Sequence, residues 1–212
     1  MDRAGSSVKR LDALFEAMRR NGQLAEFNRQ YKRERTSAHI NADGSIGQWK
    51  LCPFHLKGGR SAPGTAVANG ILYVTGGRGD LLLEDVFNDI QYAPIRDDGC
   101  PDAWHTNAAR LNMSFYGHTT ALTSITGTPS LVVLGGNAGQ GNYFNNVQFA
   151  PLEADGETKW FPFDTHQFSV PRGGHATVRY NDFIYVLGGA QRGDGGYVND
   201  VPPGWRTGRI DK

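Results

Sequence analysis

Three short runs of apolar, β-branched and aromatic residues recur along the chain, and each ends in a glycine pair: Ile71-Leu72-Tyr73-Val74-Thr75-Gly76-Gly77, Leu131-Val132-Val133-Leu134-Gly135-Gly136 and Phe183-Ile184-Tyr185-Val186-Leu187-Gly188-Gly189. Near-continuous apolar character over so few residues predicts a strand buried on both faces. A mixed polar and apolar stretch opened by glycine precedes each run: Gly64-Thr65-Ala66-Val67, Gly117-His118-Thr119-Thr120-Ala121 and Gly174-His175-Ala176-Thr177-Val178. These predict first strands, joined to the second by tight turns at Asn69-Gly70 and Asn181-Asp182, residue types that tolerate positive φ. After each glycine pair comes a third stretch, Asn88-Asp89-Ile90-Gln91-Tyr92-Ala93-Pro94-Ile95, Asn145-Asn146-Val147-Gln148-Phe149-Ala150-Pro151-Leu152, and the shorter Asn199-Asp200-Val201. An acidic turn leading to a tryptophan forms the last landmark: Asp43-Gly44 before Trp49, Asp98-Gly99 before Trp104, Asp155-Gly156 before Trp160.

The first glycines of the pairs lie 59 and 53 residues apart, the asparagine stretches 57 and 54, and the acidic turns 55 and 57. Three landmarks recurring in one order at one period mark an internal repeat. Each unit reads as four short antiparallel strands, the plan of one blade of a β-propeller. An apolar run, Gly-Gly, an aromatic at Tyr92 or Phe149, and then a tryptophan resembles the kelch repeat. Pro171-Arg172-Gly173-Gly174-His175-Ala176 resembles its opening segment, and Ile40-Asn41-Ala42-Asp43-Gly44-Ser45-Ile46-Gly47-Gln48-Trp49 is similar to kelch-like repeats of bacterial type. The resemblance implies an all-β, kelch-type β-propeller over residues 37–205, with Gly76, Gly77, Gly135, Gly136, Gly188, Gly189, Tyr92, Phe149, Trp49, Trp104 and Trp160 as its structural repeat residues. Kelch propellers include enzymes, adaptors and surface proteins, so the fold alone implies no activity.

Residues 37–49 supply the last two strands of one blade, 61–107 a whole blade, 117–160 a second, and 173–201 the first two strands of a third. That is about three blades, an incomplete or open arc, where propellers close with ~4–8. In the third unit Pro202-Pro203 strips ladder donors from the third strand, and Trp205 arrives too early for the fourth. Exposed blade edges need a partner or a cap. Three completions are open: a longer gene, another copy or subunit, or ends capped by non-blade structure; a chain that is not an oligomer would instead close one blade with residues 37–49 beside 173–201. Residues 1–36 are expected to form a basic amphipathic helical segment, with Val8, Leu11, Leu14, Phe15 and Met18 on one face, and residues 206–212 a tail.

Composition adds little beyond turns and charge. Glycine is 28 of 212 residues, about twice its usual ~7% share, as many tight turns require. The net charge is +1, which removes the simplest electrostatic case for nucleic acid. No apolar run is long enough to span a membrane and no signal-peptide pattern opens the chain, so the expected address is cytoplasmic by default.

Several residue sets carry candidate chemistry. His118 and His175 occupy equivalent first-strand positions, but Gly64-Thr65 at the matching place in the first unit offers no third ligand, and the two are expected to hydrogen-bond neighbouring strands. Cys52 and His55 with Cys100 and His105 have the donor types of a zinc site, but the cysteines are not repeat-equivalent, and free thiols are expected over a metal site or a disulfide. Arg78-Gly79-Asp80 and Arg192-Gly193-Asp194 follow glycine pairs, and Arg78, Asp80, Arg192 and Asp194 are candidate interaction residues. Gly136-Asn137-Ala138-Gly139-Gln140-Gly141-Asn142 lacks the lysine and helix of a phosphate loop. The acidic turns at Asp43, Asp98 and Asp155 lack the ligand spacing of a calcium loop. No catalytic, cofactor or metal residues are assigned. The reading is a non-enzymatic scaffold that binds a protein or itself, the alternatives being a truncated piece of a larger propeller or a carbohydrate-active or redox kelch enzyme.

Overall fold

The structure, a computed structural model, describes residues 36–79, 85–125, 127–159, 167–191, 196–197 and 205–206. The expected amino-terminal helix and the tail lie outside these residues. Two compact units divide the chain, Met1–His55 and Leu56–Lys212. In the first, β1 (Thr36–Ser37) pairs antiparallel with β2 (Lys50–Leu51), and an Ile40–Ile46 bridge continues the hairpin toward its turn.

Among its described residues the second unit holds three antiparallel sheets, none of them closed on itself. The first has the order β3 (Gly64–Ala68), β4 (Ile71–Thr75), β5 (Ile90–Pro94), β6 (His105–Thr106). Next comes β7 (Thr119–Ile125), β8 (Thr128–Asn137), β9 (Tyr143–Pro151), and then β10 (Ala176–Tyr180), β11 (Phe183–Leu187), β12 (Trp205–Arg206). Among the described residues the fold is therefore all-β. No helix there is long and apolar enough to cross a membrane.

Register makes the internal repeat concrete. Thr36↔Leu51 and Ile40↔Ile46 in the amino-terminal hairpin match Gln91↔Thr106 and Ile95↔Pro101 in the first sheet, all displaced by one constant offset. Leu152↔Thr158 repeats the bridge in the second sheet. Each turn uses the same three hydrogen bonds. In the first sheet, Gly99 N–H donates to Arg96 O, Arg96 N–H to Cys100 O, and Cys100 N–H to Asp98 Oδ1. Gly44, Ser45 and Asp43 reproduce this in one hairpin, and Gly156, Glu157 and Asp155 in another. The acidic side chain thus caps its own turn, and the glycine takes the positive φ that a type I turn with a bulge demands.

Three expectations need correction. The first strands do not align on their glycines: Gly64↔Thr75, Thr119↔Leu134 and Ala176↔Leu187 are the equivalent pairs. Gly117 and Gly174 therefore correspond to Ala62, and all three have positive φ, 47°, 63° and 65° in chain order. Gly135 does not end its strand, because β8 runs on to Asn137 across an irregularity between Leu134 and Gly136, whereas β4 and β11 stop just before Gly76 and Gly188. Finally, Trp205 belongs to a third strand: Trp205↔Ile184 and Arg206↔Phe183 correspond to Ala93↔Leu72 and Pro94↔Ile71. β12 takes the place beside β11 that closure of a blade by residues 37–49, one of the alternatives, requires.

Strand alternation gives each sheet a forward and a backward face. Forward residues of the first sheet (Ala66, Ala68, Ile71, Tyr73, Tyr92) pack on backward residues of the second (Leu122, Leu131, Ala150, Leu152). The forward face of the second (Ala121, Val132, Leu134, Val147, Phe149) packs in the same way on Ile184 and Val186 of the third. This sheet-on-sheet stacking is the core of the second unit, and it leaves the middle sheet covered on both sides.

Candidate interaction surface

Histidine and threonine side chains buried between the sheets join one sheet to the next. At the first junction His118 Nε2 accepts from Gly64 N–H at 3.2 Å and lies 2.9 Å from Thr75 Oγ1, which in turn is 2.7 Å from Thr120 Oγ1. At the second, His175 Nε2 lies 2.9 Å from Thr119 Oγ1, which bonds Thr177 Oγ1. The hydroxyl occupies one place but comes from different strands, Thr75 of β4 in one junction and Thr119 of β7 in the other. The cross-strand partner yields in each case. A Cβ on Gly64 would lie 2.7 Å from Thr75 Oγ1 and 2.1 Å from Thr120 Oγ1, and opposite Thr119 stands Leu134, which has no hydroxyl.

Both imidazoles are buried, and neither Nδ1 meets a partner among the described residues. Burial pulls the pKa of His118 down to about 4, with repulsion from His175 when both are protonated adding to it, and burial with the Arg172 guanidinium pulls His175 down to about 4. Both rings are therefore neutral struts near neutrality, and the two histidines serve separate junctions rather than one metal.

Backbone bonds lie alongside these locks. Gly117 N–H donates to Ala62 O at 2.8 Å and Gly174 N–H to Gly117 O at 2.7 Å, a chain of three equivalent positions running across the sheets. The first glycines of the first two pairs are held under it: a Cβ on Gly76 would lie 2.7 Å from Phe115 O and 2.9 Å from His118 Cε1, and on Gly135 2.8 Å from Arg172 O and 3.0 Å from His175 Cε1.

Two buried arginines escaped the sequence reading as a pair. Arg60 and Arg172 occupy the position of Phe115, three residues before Pro63, His175 and His118 respectively. Arg60 donates to Gly76 O at 2.9 Å and forks onto Asp89 at 2.7 and 3.1 Å, and Arg172 donates to Gly188 O at 3.1 Å. Burial pushes the Asp89 carboxyl up, but hydrogen bonds from Arg60 and Gln91 and the Arg60 charge outweigh it, so its pKa falls below the usual range. The signal was present in Arg60-Ser61-Ala62-Pro63 and Arg172-Gly173-Gly174-His175, but it is visible only once Ala62 is matched to Gly174.

The repeat aromatics differ in their surroundings. Tyr92 donates to Glu157 Oε1 at 3.0 Å and stacks on Tyr73 and His105, beneath Gly156 of the next acidic turn. Burial and the neighbouring acids hold the Tyr92 and Tyr73 hydroxyls at about 12. Phe149 takes the same position in the second sheet. Trp104 is 8% exposed against Val74, Ala93 and Leu56, but its equivalent Trp49 is 62% exposed on the amino-terminal hairpin. Trp160 lies outside the described residues.

Of the candidate interaction residues, Arg78 lies with its guanidinium 5.5 Å from the Tyr116 ring, so its charge is engaged within the fold, and Asp80, Arg192 and Asp194 fall outside the described residues. Cys52 and Cys100 are buried and neither is a free thiol; both are disulfide-bonded, which corrects the expectation of free thiols. A disulfide sulfur has no thiolate to offer zinc. Among the described residues no group of three or more metal-ligating side chains comes together.

The third sheet exposes apolar surface on its forward face. Val178 is 51% and Tyr180 66% exposed, at the positions that Ala66 and Ala68 fill under the second sheet. Phe183 and Tyr185, with ring centroids 6.2 Å apart, continue this forward face at the positions of Ile71 and Tyr73. No protein-family model matches the chain, and no curated protein matches it.

Proposed function

We propose that the chain is a non-enzymatic kelch-repeat scaffold of the β-propeller type, whose uncovered sheet face binds protein. The repeat register and the forward-to-backward stacking support the blade reading. One observation carries the binding reading: the third sheet bears at its exposed forward positions larger apolar side chains than the first sheet buries at the same positions. Single exposed apolar residues are ordinary, but a contiguous apolar sheet face in a register that elsewhere receives another sheet marks an interaction surface.

Hydroxyl-radical footprinting inside the host cell and on dilute purified chain tests it. Tyr180 is expected to be protected in the cell and labelled when dilute, with Tyr197, 86% exposed, labelled in both. Equal labelling of Tyr180 under the two conditions would overturn the reading.

A further inference from the structure

We propose that Asn112 is an acceptor site for an N-linked oligosaccharide. Asn112-Met113-Ser114 is the one place in the sequence where asparagine is followed, two residues on, by serine or threonine. With no proline between them, that tripeptide is the pattern read in N-glycosylation. It lies in the connection between β6 and β7, outside any strand, with Asn112 exposed and Ser114 half-buried. Leu111 and Phe115 on either side are buried in one apolar cluster with Val133, so the bend is pinned at both ends while its asparagine stays at the surface. Asn112 is tied to the fold through its main chain rather than its carboxamide, its N–H donating to Gln148 Oε1 at 3.0 Å.

The repeat keeps this position at the surface in every unit. Lys57 is the equivalent beside the first sheet, where its N–H donates to Gln91 Oε1 at 2.8 Å, and Ser169 is the equivalent before the third. All three are exposed, and the first carries a long side chain there over the same glutamine bond. Only the middle unit adds the serine two residues on, since Gly59 and Pro171 stand at that place in the others. The cysteines point to a compartment in which such a site is used. Cys52 and Cys100 are both disulfide-bonded, and disulfides form and persist in oxidising surroundings such as the endoplasmic reticulum lumen and the cell exterior, not at the cytoplasmic address expected by default. The donor is an oligosaccharide carried on a polyisoprenyl diphosphate. The Asn112 carboxamide nitrogen attacks its anomeric carbon and a C–N bond forms. The anomeric C–O bond to phosphate breaks, polyisoprenyl diphosphate leaves with the electron pair, and the nitrogen gives up one proton.

Intact mass spectrometry of the full chain isolated unreduced from its host tests the proposal. The mass is expected to exceed that of the polypeptide by one oligosaccharide, and peptide N-glycosidase should remove the excess and convert Asn112 to aspartate. Asn112→Gln and Ser114→Ala should each abolish the excess and Ser114→Thr should keep it, all with unchanged circular dichroism. Ser114→Ala leaves the carboxamide in place, so its effect separates recognition of the tripeptide from a reaction of asparagine alone. A mass equal to that of the polypeptide, an excess that survives Ser114→Ala, or reactive cysteine thiols in the unreduced chain would overturn the proposal. None of these outcomes bears on the exposed face of the third sheet, so the scaffold reading stands or falls separately.

Discussion

His118 and His175 are neutral imidazoles wedged between sheets, and that choice has a cost in acid. Their folded pKa values lie near 4, below the ordinary 6.5, so the unfolded chain binds protons that the folded chain refuses. Stability from this source is complete above about pH 6.5 and is lost as pH falls toward 4, by at most roughly 3 kcal/mol per ring. Urea midpoints measured from pH 7 to pH 4 should fall, and His175→Gln should flatten the curve; an unchanged slope would count against the buried neutral ring. Arg60 makes the opposite kind of demand, since its side chain is 1% exposed and its charge must be met by Asp89. Arg60→Met strands that carboxylate and is expected to cost about 3–5 kcal/mol, against less for Arg60→Met combined with Asp89→Asn. At the same scale, thiol titration of native chain without reductant should find no reactive cysteine, and reduction under denaturing conditions should reveal both.

The strand junctions show what one sequence can and cannot disclose. The apolar runs, the glycine pairs and the acidic turns are local patterns, and all three appear in the structure at the repeat-equivalent places their spacing indicated. Register is a relation between strands, and it misled where identity was used as a proxy: Gly64 looked like Gly117, yet Ala62 holds that positive φ and Gly64 is small for a different reason. Trp205 was judged by its distance from a turn, but its pairing with Ile184 makes it a third-strand residue. Arg60 was invisible as a partner of Arg172 until that register was known. The lock hydroxyl offers a test of the element-scale account. Gly64→Thr alone should destabilise by crowding Thr75 and Thr120, and Thr75→Leu alone by removing the hydroxyl beside His118. The double substitution recreates the Thr119/Leu134 arrangement of the second junction. Its cost is expected to be smaller than either single one, a coupling of about 1–3 kcal/mol in a double-mutant cycle, and additivity of the two would refute the exchange.

At the scale of the whole molecule, stacked sheets behave as a short one-dimensional array in which each unit draws stability from its neighbours. Among the described residues of the second unit, the middle sheet packs on two other sheets and the first on one. Leu72 and Leu131 make the comparison clean, because the same residue type stands at the same register position on the backward face of each. Leu131 is fully buried against the forward residues of the first sheet, and Leu72 is only partly buried, beside Val74, Ala93 and Trp104. Leu131→Ala leaves a cavity in a closed junction and should cost about 3–4 kcal/mol, where Leu72→Ala, with solvent free to follow the shrinking side chain, should cost about 1–2 kcal/mol. Chemical denaturation of both variants reads the difference directly. Equal costs would mean that Leu72 is as fully enclosed as Leu131, and would count against packing between sheets as the source of the extra stability.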